Sequence, residues 1–131
     1  MKNLKFRIWD KNNKKMITNV CGFVIDPNKK RFRYYRLDLR MKDGIATNVG
    51  DLEDFVIQQF TGILDKNGKE IYEGDLHKET IKEDGVILID FCPIIFDNGA
   101  FWIDLSFEKD GTYLELLNEQ ENLKITKHIF E

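Results

Sequence analysis

The chain is 131 residues long, 42% hydrophobic and 12% aromatic, with two prolines and two cysteines. That composition excludes a disordered chain and describes one domain, or one domain with an extension, able to bury a core without disulfides or a metal. The net charge is only −3, no apolar run reaches the roughly 18 residues of a membrane span, and no apolar core follows the charged N-terminus as in a signal peptide.

Cys21 and Cys92 stand far apart with no CxxC, so free core thiols and a cytoplasmic setting are expected. Ten phenylalanines and few prolines favour strands. The charge is uneven. Residues 1–42 hold 13 Lys/Arg against 3 Asp/Glu, and residues 43–131 hold 7 against 20. Such asymmetry marks either an interaction surface or two halves that neutralise each other.

In chain order, Phe6, Ile8 and Met16 fall on strands flanking a polar hairpin loop, Asp10-Lys11-Asn12-Asn13-Lys14. Val20 to Ile25 is a second strand, broken by Asp26-Pro27-Asn28. Arg31 to Met41 reads as a half-buried strand of period two. Tyr35, Leu37, Leu39 and Met41 would line its apolar face, and Tyr34, Arg36, Asp38 and Arg40 its polar one. Gly44 to Asp54 reads as loop with a helical turn near Leu52, and Phe55 to Phe60 as a strand.

Asp65-Lys66-Asn67-Gly68-Lys69 is a hairpin-type turn in which Gly68 supplies the positive φ. Strands then follow at Asp75–Glu79, Gly85–Phe91, Gly99–Leu105, Tyr113–Leu116 and Leu123–Ile129. A short helix has room only between Leu114 and Leu123. Short strands and turns at this spacing suggest a small barrel or roll.

The stretch from Gln59 to Asp75 is dense in residues with special backbone roles. Gly62, Gly68 and Gly74 permit conformations that a Cβ resists. Asp65 is placed to accept N–H bonds from its turn. Glu73-Gly74-Asp75 is placed to bend the chain over Tyr72. Each residue type has a backbone explanation, which favours a structural block over a reaction centre.

Three segments resemble the YopX family of phage and prophage proteins. They are Lys5-Phe6-Arg7-Ile8-Trp9-Asp10 with Lys15-Met16, then Gln59-Phe60-Thr61-Gly62 through Asp65, Asn67 to Tyr72 and Glu73-Gly74-Asp75, and finally Gly99-Ala100-Phe101. Residues 17–54 carry no such motif. The end, Thr126 to Glu131, departs from the Gly-Asn-containing strand common in the family. The resemblance implies a mainly β protein with an SH3-like barrel, formed largely by residues 55–131, to which residues 1–54 add basic strands. It also implies an intracellular role in phage growth or lysogeny and no catalytic residues.

Lys29, Lys30, Arg31, Arg33, Arg36, Arg40 and Lys42 are opposed only by Asp38 and interleaved with Phe32, Tyr34 and Tyr35. Three readings are open. Cations neutralise phosphates while exposed aromatics stack on bases, giving a nucleic-acid face. The same stretch could dock on the acidic half of another subunit. It could also be a solvated strand whose charges discourage edge pairing.

Asp65, Glu70, Glu73 and Asp75, with Asp90, Asp97 and Asp104, raise metal-assisted hydrolysis as a distant reading. Asp65-Lys66-Asn67 begins like a calcium loop, but the required Gly and Glu are out of register. His77 and His128 lack zinc-ligand spacing and read as solvated or edge-strand residues. The expectation is a non-enzymatic, cofactor-free protein that binds a macromolecule, whether a phage or host protein or nucleic acid, and associates with itself.

Overall fold

In a computed structural model of the chain, the residues described are 4–105, 114–116 and 125–130. The fold is mainly β, with a sheet curled into a half-barrel. No helix among these residues is long and apolar enough to cross a membrane. The chain forms two compact units, one of Leu4–Gln59 and the other built on Phe60–Glu131.

In the first unit, β1 (Phe6–Asp10) and β2 (Lys15–Ile17) form the expected hairpin. Asp10 shapes its loop by accepting the backbone N–H groups of Asn12 and Asn13 on Oδ1 and the Asn13 amide on Oδ2. β3 (Val20–Asp26), β4 (Arg31–Leu37) and β5 (Ile45–Asp51) form an antiparallel meander. A 3₁₀ turn, Leu52–Asp54, leads into β6 (Phe55–Leu64), whose first five residues pair with β1.

The core of this unit joins Ile8, Ile17, Phe32 and Tyr34, with Val20, Phe23, Leu52, Phe55 and Ile57 packed against them. Phe32 sits at its centre, 5.1 Å from the ring of Phe55 and 5.8 Å from that of Tyr34. Each such aromatic pair adds about 0.5–1.5 kcal/mol beyond the area it buries.

Two expectations need correction here. The buried face of β4 is the opposite one. Phe32 and Tyr34 are 1% and 4% exposed, whereas Leu37, Leu39 and Met41 are 59%, 96% and 47% exposed. The strand stops at Leu37 because Asp38 starts a tight loop. Its backbone N–H donates to Gly44 O, and its side chain accepts the Arg40 N–H. The alternation read from Leu37 to Met41 therefore was not a strand face.

Residues 45–51 are not loop but an edge strand, in which the strand formers Ile45, Thr47 and Val49 alternate with Ala46, Asn48 and Gly50. Its composition answers to packing. A Cβ on Gly50 would lie 2.6 Å from Phe55 Cε2, so that position must stay bare.

In the second unit, the remainder of β6 pairs with β7 (Glu70–Tyr72). β8 (Asp75–Glu83), β9 (Val86–Asp97), β10 (Ala100–Asp104), β11 (Leu114–Leu116) and β12 (Ile125–His128) form one antiparallel sheet ordered β11-β10-β9-β8-β12. β8 and β9 run beyond the segments expected for them, turning at Asp84-Gly85. The segment with room for a short helix, Leu114 to Leu123, begins in strand β11, and residues 117–124 lie outside those described.

The second core gathers Ile71, Cys92, Ile94, Ile103, Leu105 and Ile125, with Ile63 and Phe101 against it. His77 is not solvated. It is 5% exposed, registered between Cys92 on β9 and Ile125 on β12. The thiols also divide, since Cys92 is buried but Cys21 is exposed. Cys21 falls at a bulge between Val20 and Gly22, which removes it from the alternation that would have turned it inward.

Candidate functional site

The basic stretch is distributed by β4 over two faces and two ends. Lys29 and Lys30 occupy the turn before the strand, where Lys30 adopts φ 52°. They line a shallow depression with Pro27, Asp51, Leu52 and Glu53. Arg31 and Arg33 are exposed on the outer face. Arg31 Nη1 bonds Asp51 Oδ1 at 2.6 Å, on the neighbouring strand.

Arg36 lies on the inner face with Phe32 and Tyr34, half-buried. Its Nε donates to Asn48 Oδ1 at 3.1 Å and its Nη1 to Asp38 Oδ2 at 3.2 Å. Arg40, in the loop beyond the strand, grips Asp38 through Nε and Nη2 at 3.0 and 2.9 Å. Hydrogen bonds from Arg40 hold the Asp38 carboxyl well below the usual carboxylate range, and Asp38 in turn raises the Arg40 guanidinium. Lys42 is exposed in the same loop.

The interleaved aromatics do not form a stacking platform, because Phe32 and Tyr34 are core residues. Only Tyr35 reaches the outer face. It stands opposite Gly22 on β3 and Thr47 on β5, and a Cβ on Gly22 would lie 3.7 Å from Tyr35 Cδ2. The rest of that face was not foreseen. Arg33 is flanked by Val24 and Val49, 53% and 54% exposed, and Leu37 by Ile45, 59% and 38% exposed. The signal for these residues was the strand register, which the pairing of β3 and β5 with β4 supplies.

The Gln59–Asp75 block is built into the second unit. Gly62, Gly68 and Gly74 have φ of 85°, 81° and 84°. The Gly74 N–H donates to Ile94 O at 2.7 Å, and Gly74 O accepts the Ile129 N–H at 2.8 Å. Asp75 Oδ2 accepts the Tyr72 N–H across the bend at 2.8 Å. Gln59 pairs with Phe6 at the end of the β1–β6 ladder.

Asp65 accepts Asn67 and Lys69 N–H groups on Oδ1 and the Ile125 N–H on Oδ2. Burial pushes its carboxyl up, but those three N–H groups and the Lys69 charge outweigh burial and leave it below the ordinary value. Among the described residues, no group of three or more His, Cys, Asp or Glu side chains is gathered to hold a metal.

On the inner side of β4 a groove of about 660 Å³ is lined by Tyr34, Arg36 and Asn48 from the meander, by Asp10 and Lys15 from the hairpin, and by Arg40. Burial, then the charge of Asp10, pushes the Tyr34 phenol up, and Arg36 partly offsets this.

The YopX protein family model matches residues 5–127. The chain belongs to the YopX family. Its match spans residues 17–54, where no motif stood out, as well as the three segments that carried the resemblance.

Two solved structures share this fold. Protein EF1440 from Enterococcus faecalis is 20% identical, with 99% of this chain and 95% of that one covered at a TM-score of 0.60. Protein yopX from Bacillus subtilis is 19% identical, with 91% of each chain covered at a TM-score of 0.50. No curated protein matches the chain. At these identities the likeness concerns the YopX fold alone.

Proposed function

We propose that this YopX-family protein is a non-enzymatic binding module whose outer β3-β4-β5 face docks on a second copy of the chain. It would serve as an accessory protein in the phage or prophage setting that the family resemblance implies. The observation that carries this reading is the composition of that face. Val24, Val49, Leu37 and Ile45 are exposed around Arg33 and half-buried Tyr35. Exposed apolar residues around an Arg and a Tyr are the usual make-up of a protein interface centre.

Charge complementarity favours a second copy as the occupant, because residues 1–42 are strongly basic and residues 43–131 strongly acidic. A contact between unlike surfaces of identical subunits is heterologous and can close a ring. The scaffold is part of the same proposal. An SH3-like roll is supported by the all-antiparallel pairing of the second unit's strands.

The test compares wild type with Arg33→Glu and Val49→Asp by analytical ultracentrifugation. Both side chains are exposed, so the fold should survive. The reading expects each variant to weaken association by roughly tenfold or more, as loss of an interface hot spot does. Unchanged association in both variants would sink it.

Nucleic acid is the second reading, favoured by Lys29, Lys30, Arg33 and Lys42, which are exposed and have no carboxylate partner among the described residues. It requires binding to a short single strand or duplex that falls steeply with salt.

A further inference from the structure

The groove beside Tyr34 lies on the opposite side of β4 from the open face, and all its lining residues belong to the first unit. Its charges are unbalanced. Lys15, Arg36 and Arg40 line it with one carboxylate, Asp10, and Asp38 just outside the lining pairs with both arginines, which leaves one positive charge in excess. The Asp10 carboxylate is already engaged by three N–H donors from its own hairpin loop.

The two guanidiniums are held in place from behind. Asp38, which is outside the lining, accepts Arg36 Nη1 and Arg40 Nη2 on Oδ2 at 3.2 and 2.9 Å. It also accepts Arg40 Nε on Oδ1 at 3.0 Å. Asn48 Oδ1 fixes Arg36 Nε at 3.1 Å. A guanidinium carries five N–H donors. The bonds of Arg36 occupy Nε and one hydrogen of Nη1, so its Nη2 edge still has donors to offer. Asn48, its oxygen engaged by Arg36, has its NH₂ group left. The groove is therefore donor-rich, cationic and preorganised.

We propose that this groove is a binding site for a small organic phosphate, with Arg36 and Arg40 as paired anchors and Lys15 as a third charge. A phosphate monoester carries between one and two negative charges and three acceptor oxygens, which suits two oriented guanidiniums and an ammonium. A single carboxylate would leave part of that donor set unmatched. The volume of about 660 Å³ falls within the range of small-molecule sites and exceeds what a bare phosphate fills. Ile17, also in the lining and on the same face of β2 as Lys15, offers an apolar surface to the organic body.

The experiment is a titration of the full chain with adenosine monophosphate, adenosine and acetate, followed by amide NMR shifts and calorimetry. Adenosine monophosphate should bind saturably and shift amides of residues 10–19, 34–40 and 48. Adenosine and acetate should each bind at least tenfold more weakly. Arg36→Gln and Arg40→Gln should each weaken adenosine monophosphate binding about tenfold or more. The Arg40 side chain is 85% exposed, so its variant keeps the fold even if the Arg36 variant does not. The proposal is overturned by no saturable shift with adenosine monophosphate, by adenosine or acetate binding as tightly, or by undiminished binding in folded Arg40→Gln. None of these outcomes bears on association through the outer face.

Discussion

Replacing Asp65 by alanine removes the acceptor of three backbone N–H groups at once. Two belong to its own turn, Asn67 at 2.8 Å and Lys69 at 2.9 Å, and water can reach them because both residues are exposed. Each of those losses should cost about 0.5–1 kcal/mol. The third is Ile125, 60 positions away, at 3.2 Å. Ile125 is 6% exposed, so its N–H would be left buried without a partner, at a cost of about 1–3 kcal/mol.

The sum is roughly 2–5 kcal/mol, a large share of the roughly 5–15 kcal/mol that holds a domain together. Asp65→Asn keeps one oxygen for the turn but presents an amide donor to Ile125, so it should lose about half as much. The assay is equilibrium denaturation in urea at pH 7, with stability falling in the order wild type, Asp65→Asn, Asp65→Ala.

The acid dependence follows from the lowered carboxyl. A carboxylate whose folded pKa lies below its unfolded value of 3.8 contributes fully above that value. Its contribution fades as pH falls through 3.8 toward the folded pKa. The gap between wild type and Asp65→Asn should therefore narrow below about pH 4. An alanine variant within about 0.5 kcal/mol of wild type, or a gap that does not narrow in acid, would refute a structural role for this carboxylate.

Two further outcomes test the cores. Gly50→Ala places a Cβ 2.6 Å from the Phe55 ring, and overpacking of this kind should cost about 1–3 kcal/mol in denaturation. Adding Phe55→Leu should recover part of that loss, and strict additivity of the two changes would show that the added Cβ and the ring do not collide. Thiol labelling of native protein should modify Cys21 rapidly, whereas Cys92, 0% exposed, should react only as fast as the molecule opens. Equal rates would contradict the position of Cys92 in the second core.

Much of this fold could be read from the chain because its turns are written in residues with few alternatives. Asp10 with Asn12 and Asn13, Pro27, Gly68 and Gly74 each mark a turn that the structure contains. The errors came where tertiary packing outranks local preference. β5 contains Asn48, Gly50 and Asp51, which individually disfavour strands, yet Gly50 is required by the ring of Phe55. The face of β4 was inverted because Leu37, Leu39 and Met41 mimic a continuing period after Asp38 has turned the chain.

The candidate site was legible only in part for the same reason. The sequence displays a run of cations, but not that Arg31 is paired with Asp51 or that Arg36 and Arg40 share Asp38. It also cannot show which positions of three separated strands meet. Val24, Arg33 and Val49 become neighbours only through the register of β3, β4 and β5.

The central claim is that the outer face of this meander joins one copy to another. It is tested most directly by light scattering of wild-type protein across a concentration series at low and high salt. Association through this face should give a molar mass above that of the 15.5 kDa chain, falling on dilution and, because the contact is charge-assisted, falling further at high salt. A molar mass that stays at one chain at every concentration and both salts would contradict it.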